Sequence, residues 1–191
     1  MEPVGQPGAG LPGPELFFIK RILVPLVRRF FSWESALKML LRESGKIRAL
    51  TEQLPPELLI RQVLVEKVFA IEHHTRTFSA AMVMEHLAVT GAGVQMIVET
   101  LGKEKEFLRE VTIQGVKPKE NQPDALEKLL LFTQGYESFI GNLEKRVSKA
   151  TQPHPWFGPF TNFDWHCLMA LHTFIHRRQI EAILKNVVRQ T

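Results

Sequence analysis

Apolar residues recur at three- and four-residue intervals along most of the chain. Leu16, Ile19, Leu23, Leu26, Val27 and Phe30 form such a stripe over Glu15 to Phe31, with Lys20, Arg21, Arg28 and Arg29 lying away from it. The spacing predicts a helix packed on the rest of the domain, kinked or split by Pro25. A membrane-surface helix is the alternative use of such a stripe. Ser32 is placed to cap a second helix, from Trp33 to about Gln53, whose apolar positions are Leu37, Leu40, Leu41, Ile47 and Leu50. Pro55 and Pro56 interrupt that helix. In Glu57 to Ile71, Val63, Leu64, Val65, Val68 and Phe69 fit a short helix or an extended stretch, and the helix is the preferred reading. The polar stretch His73 to Thr77 reads as a connection.

A strong helical pattern then runs from about Phe78 to Leu101 and is closed by Gly102. Gly91 and Gly93 each weaken it by about 1 kcal/mol relative to Ala. Arg109 to Gln122 is a long polar connection in which Val111, Ile113 and Val116 alternate, as in a short extended piece. Asp124 and Glu127 have capping-box spacing for a helix from Ala125 to about Val147. The segment TQPHPWFGPF, Thr151 to Phe160, holds three prolines and is expected to be irregular. Thr161 and Asp164 open a last helix to about Arg189. Four long helices, shorter pieces, no clear sheet and no internal repeat predict an all-α four-helix bundle with an additional N-terminal helix and long connections.

Composition narrows the class. At 45% hydrophobic and 23% charged residues, the chain is ordinary for a soluble globular protein. Met1 to Pro14 is rich in Gly and Pro and reads as a flexible tail, without the basic opening of a signal peptide. Residues 15–191 read as one domain. No uninterrupted apolar run reaches the roughly 18 residues a membrane span needs. Cys167 is the one cysteine, so no internal disulfide can form, which fits a reducing, cytoplasmic setting. The charge of +4 is local: Glu15 to Leu50 carries eight Lys/Arg against three Asp/Glu, and from Thr51 onward there are sixteen of each. No reader motif or aromatic interleaving accompanies the basic residues, so no nucleic-acid partner is expected.

The candidate chemistry lies in histidines. His172 and His176, in LHTFIHRRQI, are four residues apart. On a helix they stand about 40° apart around the axis with a rise of about 6 Å, so both imidazoles can share one metal ion. Thr173 follows the first histidine where a metalloprotease helix needs glutamate. Two ligands make a weak site. His86, in the apolar helix segment AAMVMEHLAV, is the best third candidate, because a polar ring on such a face needs a partner. Three histidines would leave coordination positions open for water or substrate. Gln179, three residues beyond His176, lies on the same helix face, where it can orient a ligand. Glu85 reads as solvated or ion-paired rather than as a general base. His73 and His74 read as surface histidines, His154 and His166 as structural or exposed, and Cys167 as a packed thiol.

Three stretches together carry a family likeness: RTFSAAMVMEHL, HPWFGPFTNFDW and HTFIHRRQI. In this order they resemble the DinB/YfiT-like superfamily of metalloenzymes, and more narrowly its uncharacterised bacterial DinB-like families. The likeness covers roughly Ser32 to Val188. It implies an up-down-down-up four-helix bundle. It further implies one divalent transition-metal ion (Zn, Ni or Fe) held by one histidine on the second bundle helix and two on the fourth, matching His86, His172 and His176. An all-imidazole set does not select among those ions. The resemblance also implies a small-molecule substrate, favouring a low-molecular-weight thiol in a transferase reaction over metal-dependent hydrolysis, and a homodimer as a frequent assembly. A non-catalytic interaction module with a structural or vestigial site is the competing reading.

Overall fold

The computed structural model describes residues 8–189. Residues 1–7 of the expected tail lie outside the described residues. In the rest of that segment, the Gly8 and Gly10 amides donate to the Glu72 carboxylate, and Leu11 is buried. Helices α1 (Gly13–Phe18) and α2 (Val24–Phe30) are joined without a break by a π-helical turn, Ile19–Leu23. Pro25 accounts for that turn. Proline has no N–H for the carbonyl of Arg21, and its ring would crowd it in an α-helix. The Val24 amide instead reaches back to the Ile19 carbonyl. The expected break is thus absorbed as a wider turn. The predicted inward stripe is only partly inward: Ile19 and Val27 are buried, whereas Leu26 and Phe30 face solvent.

Helix α3 (Trp33–Thr51) starts at Ser32, whose hydroxyl accepts from the Ser35 amide while the Ser35 hydroxyl accepts from the Ser32 amide. The helix expected over Glu57 to Ile71 is not formed. Only α4 (Pro56–Leu59) is helical, and beyond it Val63 and Val65 are buried while Leu64 and Glu66 are exposed. This two-residue alternation is the signature of extended chain. It is held by the Val65 amide on the Arg76 carbonyl and by Arg76 Nε on the Val65 carbonyl.

Helix α5 (Ala80–Gly102) is capped by the Ser79 hydroxyl on the Met82 amide. Its Gly91 sits beneath the Phe132 ring, where a Cβ would meet ring atoms 2.1 Å away, so a glycine that weakens the helix lets α6 approach. Helix α6 (Ala125–Asn142) ends about five residues before the expected Val147, with Leu143 already extended. The Asn162 amide draws the following segment away through the Arg146 carbonyl. Asp124 makes no side-chain cap. No strand forms among Val111, Ile113 and Val116; a single 3-10 turn, Gln114–Val116, lies there instead.

The segment Thr151 to Phe160 is more regular than its prolines predict. β1 (Gln152–His154) pairs antiparallel with β2 (Gly158–Phe160). Pro153 lies directly opposite Pro159. In an antiparallel ladder alternate residue pairs leave their amides outside the inter-strand bonds, so two prolines facing one another at such a pair cost nothing. Gly158 closes the turn at φ +93°, a conformation that favours glycine. Helix α7 (Asn162–Arg189) opens on Thr161 and Asp164, which exchange amide bonds as the spacing predicted.

The described chain is therefore mostly helical. Helix α3 packs on α6 and α7, and α5 packs on the same two, enclosing one core. Leu40 and Ile47 of α3, Met84 and Leu87 of α5, Leu129 and Ile140 of α6 and Met169 and Ile180 of α7 are fully buried in it. By length and composition α5 is the one described helix apolar enough to cross a membrane. Here it is a core helix, with Val83, Val94 and Val98 buried.

Candidate metal centre

α5 and α7 face each other where His86 meets His172 and His176. Nε2 of His172 lies 3.2 Å from Nε2 of His86 and 3.0 Å from Nε2 of His176. The three ligand atoms all fall within 4.8 Å of one another. Nitrogens about 2.0–2.1 Å from a single ion stand about 2.9 Å apart in octahedral and about 3.3 Å apart in tetrahedral geometry. The two measured separations lie in that interval.

The backs of two rings fix their protonation. His86 Nδ1 is 2.7 Å from the Val116 carbonyl, which can only accept, so that nitrogen carries the proton and Nε2 a lone pair. His176 Nδ1 is 2.7 Å from Oε1 of Gln179. The amide cannot turn over, because its Nε2 donates to the Thr75 carbonyl at 2.7 Å. His176 Nε2 is therefore also a lone pair. His172 stands between two acceptors with one Nε2, and its buried Nδ1 has no hydrogen-bond partner. One N–H cannot satisfy both neighbours. A cation accepting three lone pairs would, with the His172 proton moved to Nδ1. The residues present fit a divalent ion on this observation.

Burial keeps all three rings neutral. Desolvation depresses His86 and takes His176 down to about 3. His172 falls well below its ordinary value through desolvation and then through His176 and His86. Neutral imidazole is the ligating form.

The support reaches beyond the three histidines. Glu85, expected to be solvated or ion-paired, accepts the Lys119 and Glu120 amides. It thereby anchors the connection that carries the Val116 carbonyl. Gln179, on the face its spacing gives it, is fully buried with its Oε1 against His176 Nδ1. Thr75 and Val116 act through main-chain carbonyls, which no side-chain pattern reveals.

The triad borders a cavity of about 170 Å³. Leu23 and Val24 from the N-terminal helices, Val94 of α5, Val111, Phe157 and Leu168 make it mostly apolar. Trp156 lines it too. His74, expected at the surface, is buried and lines the cavity with Glu72, its Nδ1 3.1 Å from Glu72 Oε2 though not aligned for a hydrogen bond. Burial would raise the Glu72 carboxyl, but His74 and the Gly10 and Gly8 amides hold it below the usual range. His154 also lines the cavity, stacked on Phe157 at 4.4 Å and depressed to about 3 by burial. His166 and Cys167 lie elsewhere in the core. His166 bonds the Tyr136 hydroxyl and the Trp33 carbonyl, and burial pushes the Cys167 thiol up to about 12.

Comparison of the chain with family models, with curated proteins and with solved structures returns no match.

Proposed function

We propose that the chain is a DinB-like metal-dependent enzyme whose divalent ion is held by His86, His172 and His176 and faces a small, mostly apolar substrate. The carrying observation is the convergence of three imidazole Nε2 atoms, two with their Nδ1–H anchored, on a point where His172 can offer at most one N–H to two lone pairs.

Helix directions support the four-helix-bundle part of this reading. Trp33 meets His166 and Glu43 meets Arg177, so α3 and α7 run the same way. His86 meets His172, and Gly102 lies near Asn162, so α5 runs against α7. Gly91 lies under Phe132 and Gly102 near Leu143, so α6 runs with α5. These directions support the up-down-down-up reading.

A bound divalent ion would supply Lewis acidity, lowering the pKa of a thiol or of water. The chain's own residues do the rest. Val116 and Gln179 hold the ligand rings in one orientation. Leu23, Val94, Phe157 and Leu168 exclude water and accept an apolar substrate body. His74 and Glu72 also line that space. Thiol transfer is the preferred chemistry and hydrolysis the alternative, in a reducing cytoplasm that suits a free Cys167. A purely structural ion is disfavoured, because a structural site closes with four protein ligands and this one offers three beside a cavity.

The test uses tag-free protein equilibrated with Zn, Ni or Co. About one ion per chain is expected, and the Co spectrum should shift on adding alkanethiols. Affinity should rise about fourfold per methylene until the cavity is filled. A chain that stays metal-free overturns the reading. A loaded chain whose spectrum ignores thiols overturns thiol chemistry.

A further inference from the structure

The N-terminal helices carry apolar side chains on two faces, and a packed helix needs only one. Ile19, Leu23 and Val24 face the cavity. On the outer side Phe18, Ile22, Leu26 and Phe30 recur every four residues and are 43%, 43%, 48% and 71% exposed. Phe17 is exposed beside them, and Phe69 extends the patch with its ring edge-on to Phe18 at 6.0 Å. Stripes of this kind normally turn inward. Pro25 and the π turn keep the helix continuous, so the outer stripe stays on one rod.

The charge around this patch has one sign. From Leu16 to Trp33 there are four basic residues and no acidic one. Arg28 is committed to Asp164, with Nε 2.8 Å from Oδ1 and Nη2 2.9 Å from Oδ2. Lys20, Arg21 and Arg29 are exposed and have no carboxylate partner among the described residues. A second copy docking through the same face would bring these cations against their own images, which is unfavourable. An anionic, apolar-cored surface satisfies both features, with the aromatic side chains inserted and the cations at the headgroups.

We propose that the outer face of α1 and α2 docks the protein on anionic lipid bilayers, with Phe17, Phe18, Ile22, Leu26 and Phe30 inserted and Lys20, Arg21 and Arg29 at the phosphates. The proposal stands on exposure and charge alone and does not depend on the metal. Because Ile19, Leu23 and Val24 of the same helices line the apolar cavity, docking would bring that cavity beside a source of apolar molecules.

The test is co-sedimentation of the full chain with vesicles of phosphatidylcholine alone and of phosphatidylcholine mixed with phosphatidylglycerol. Binding is expected to the mixed vesicles, weakening in high salt. Lys20→Gln with Arg21→Gln should lower partitioning about 25-fold, at about fivefold per charge near an anionic surface. Phe18→Ser with Phe30→Ser should lower it by at least about tenfold, with helical circular dichroism unchanged because both rings are exposed. Absence of binding to the mixed vesicles overturns the proposal, as does binding that ignores both sets of substitutions. A dimer in solution that Phe30→Ser dissociates also overturns it and assigns the face to a second copy.

Discussion

His166 lies six residues before His172 on the same helix, and both are imidazoles kept neutral by burial, yet their surroundings differ in kind. His166 has a partner on each nitrogen: Nδ1 accepts from the Tyr136 hydroxyl at 3.0 Å and Nε2 donates to the Trp33 carbonyl at 2.9 Å. It also lies between the Trp33 and Tyr136 rings. That is a completed structural histidine. At the other end, the protein completes the outer nitrogens of His86 and His176 and turns the inner ones toward each other. The difference teaches how to read a buried histidine: what matters is whether its second nitrogen has a protein partner or only other lone pairs.

The sharpest test exchanges the two ends. His86→Ala or His176→Ala should weaken divalent-metal binding by about a thousandfold, a share of the roughly 10–16 kcal/mol a full set of ligands provides. Competition with a chelating dye reads this, and the helical spectrum should hold. His166→Ala should leave metal binding intact and lower unfolding free energy in urea by about 3 kcal/mol, because the Tyr136 hydroxyl and the Trp33 carbonyl lose their partner. If either substitution shows the other's signature, the distinction fails.

Acid provides a further test. His166 titrates at about 4 in the fold against an ordinary 6.5, chiefly through desolvation. The unfolded chain therefore takes up its proton first as pH falls. Stability from this group is complete above pH 6.5 and is lost on the way down to about pH 4, roughly 3 kcal/mol in all. Urea midpoints measured across that interval should fall, and His166→Gln should flatten the dependence.

Two smaller effects probe the support of the site. Gln179→Leu should weaken metal binding about 10- to 100-fold, since it frees the His176 ring. Glu85→Ala should weaken it a few-fold by loosening the connection that carries Val116, with unchanged ion stoichiometry. An effect of Glu85→Ala larger than that of Gln179→Leu would show that the loop, more than the amide, holds the triad in place.

Local periodicity made the long helices legible, together with the Ser32 cap and the Thr161–Asp164 start of α7. It failed where long-range contacts overrode propensity. Residues 63–66 run extended because Arg76 binds Val65, and the proline-rich segment pairs because its prolines fall opposite one another. Glu43 escaped the stripe of α3 altogether. It is fully buried, and although burial would raise its carboxyl, Lys46, Arg177 and Arg42 hold it low.

The sequence by itself determined that His172 and His176 share a face with Gln179, because four and three residues along one helix fix angle and rise whatever the helix packs against. That His86 joins them was implied by a resemblance, since no local rule relates residues 86 positions apart. Only the tertiary structure decided which nitrogens carry protons and which lie bare, through the Val116 and Thr75 carbonyls 30 and 104 residues from the groups they bind. It also decided that the N-terminal stripe faces two ways. A side chain's identity is local, but its partners depend on which distant segments the core brings beside it.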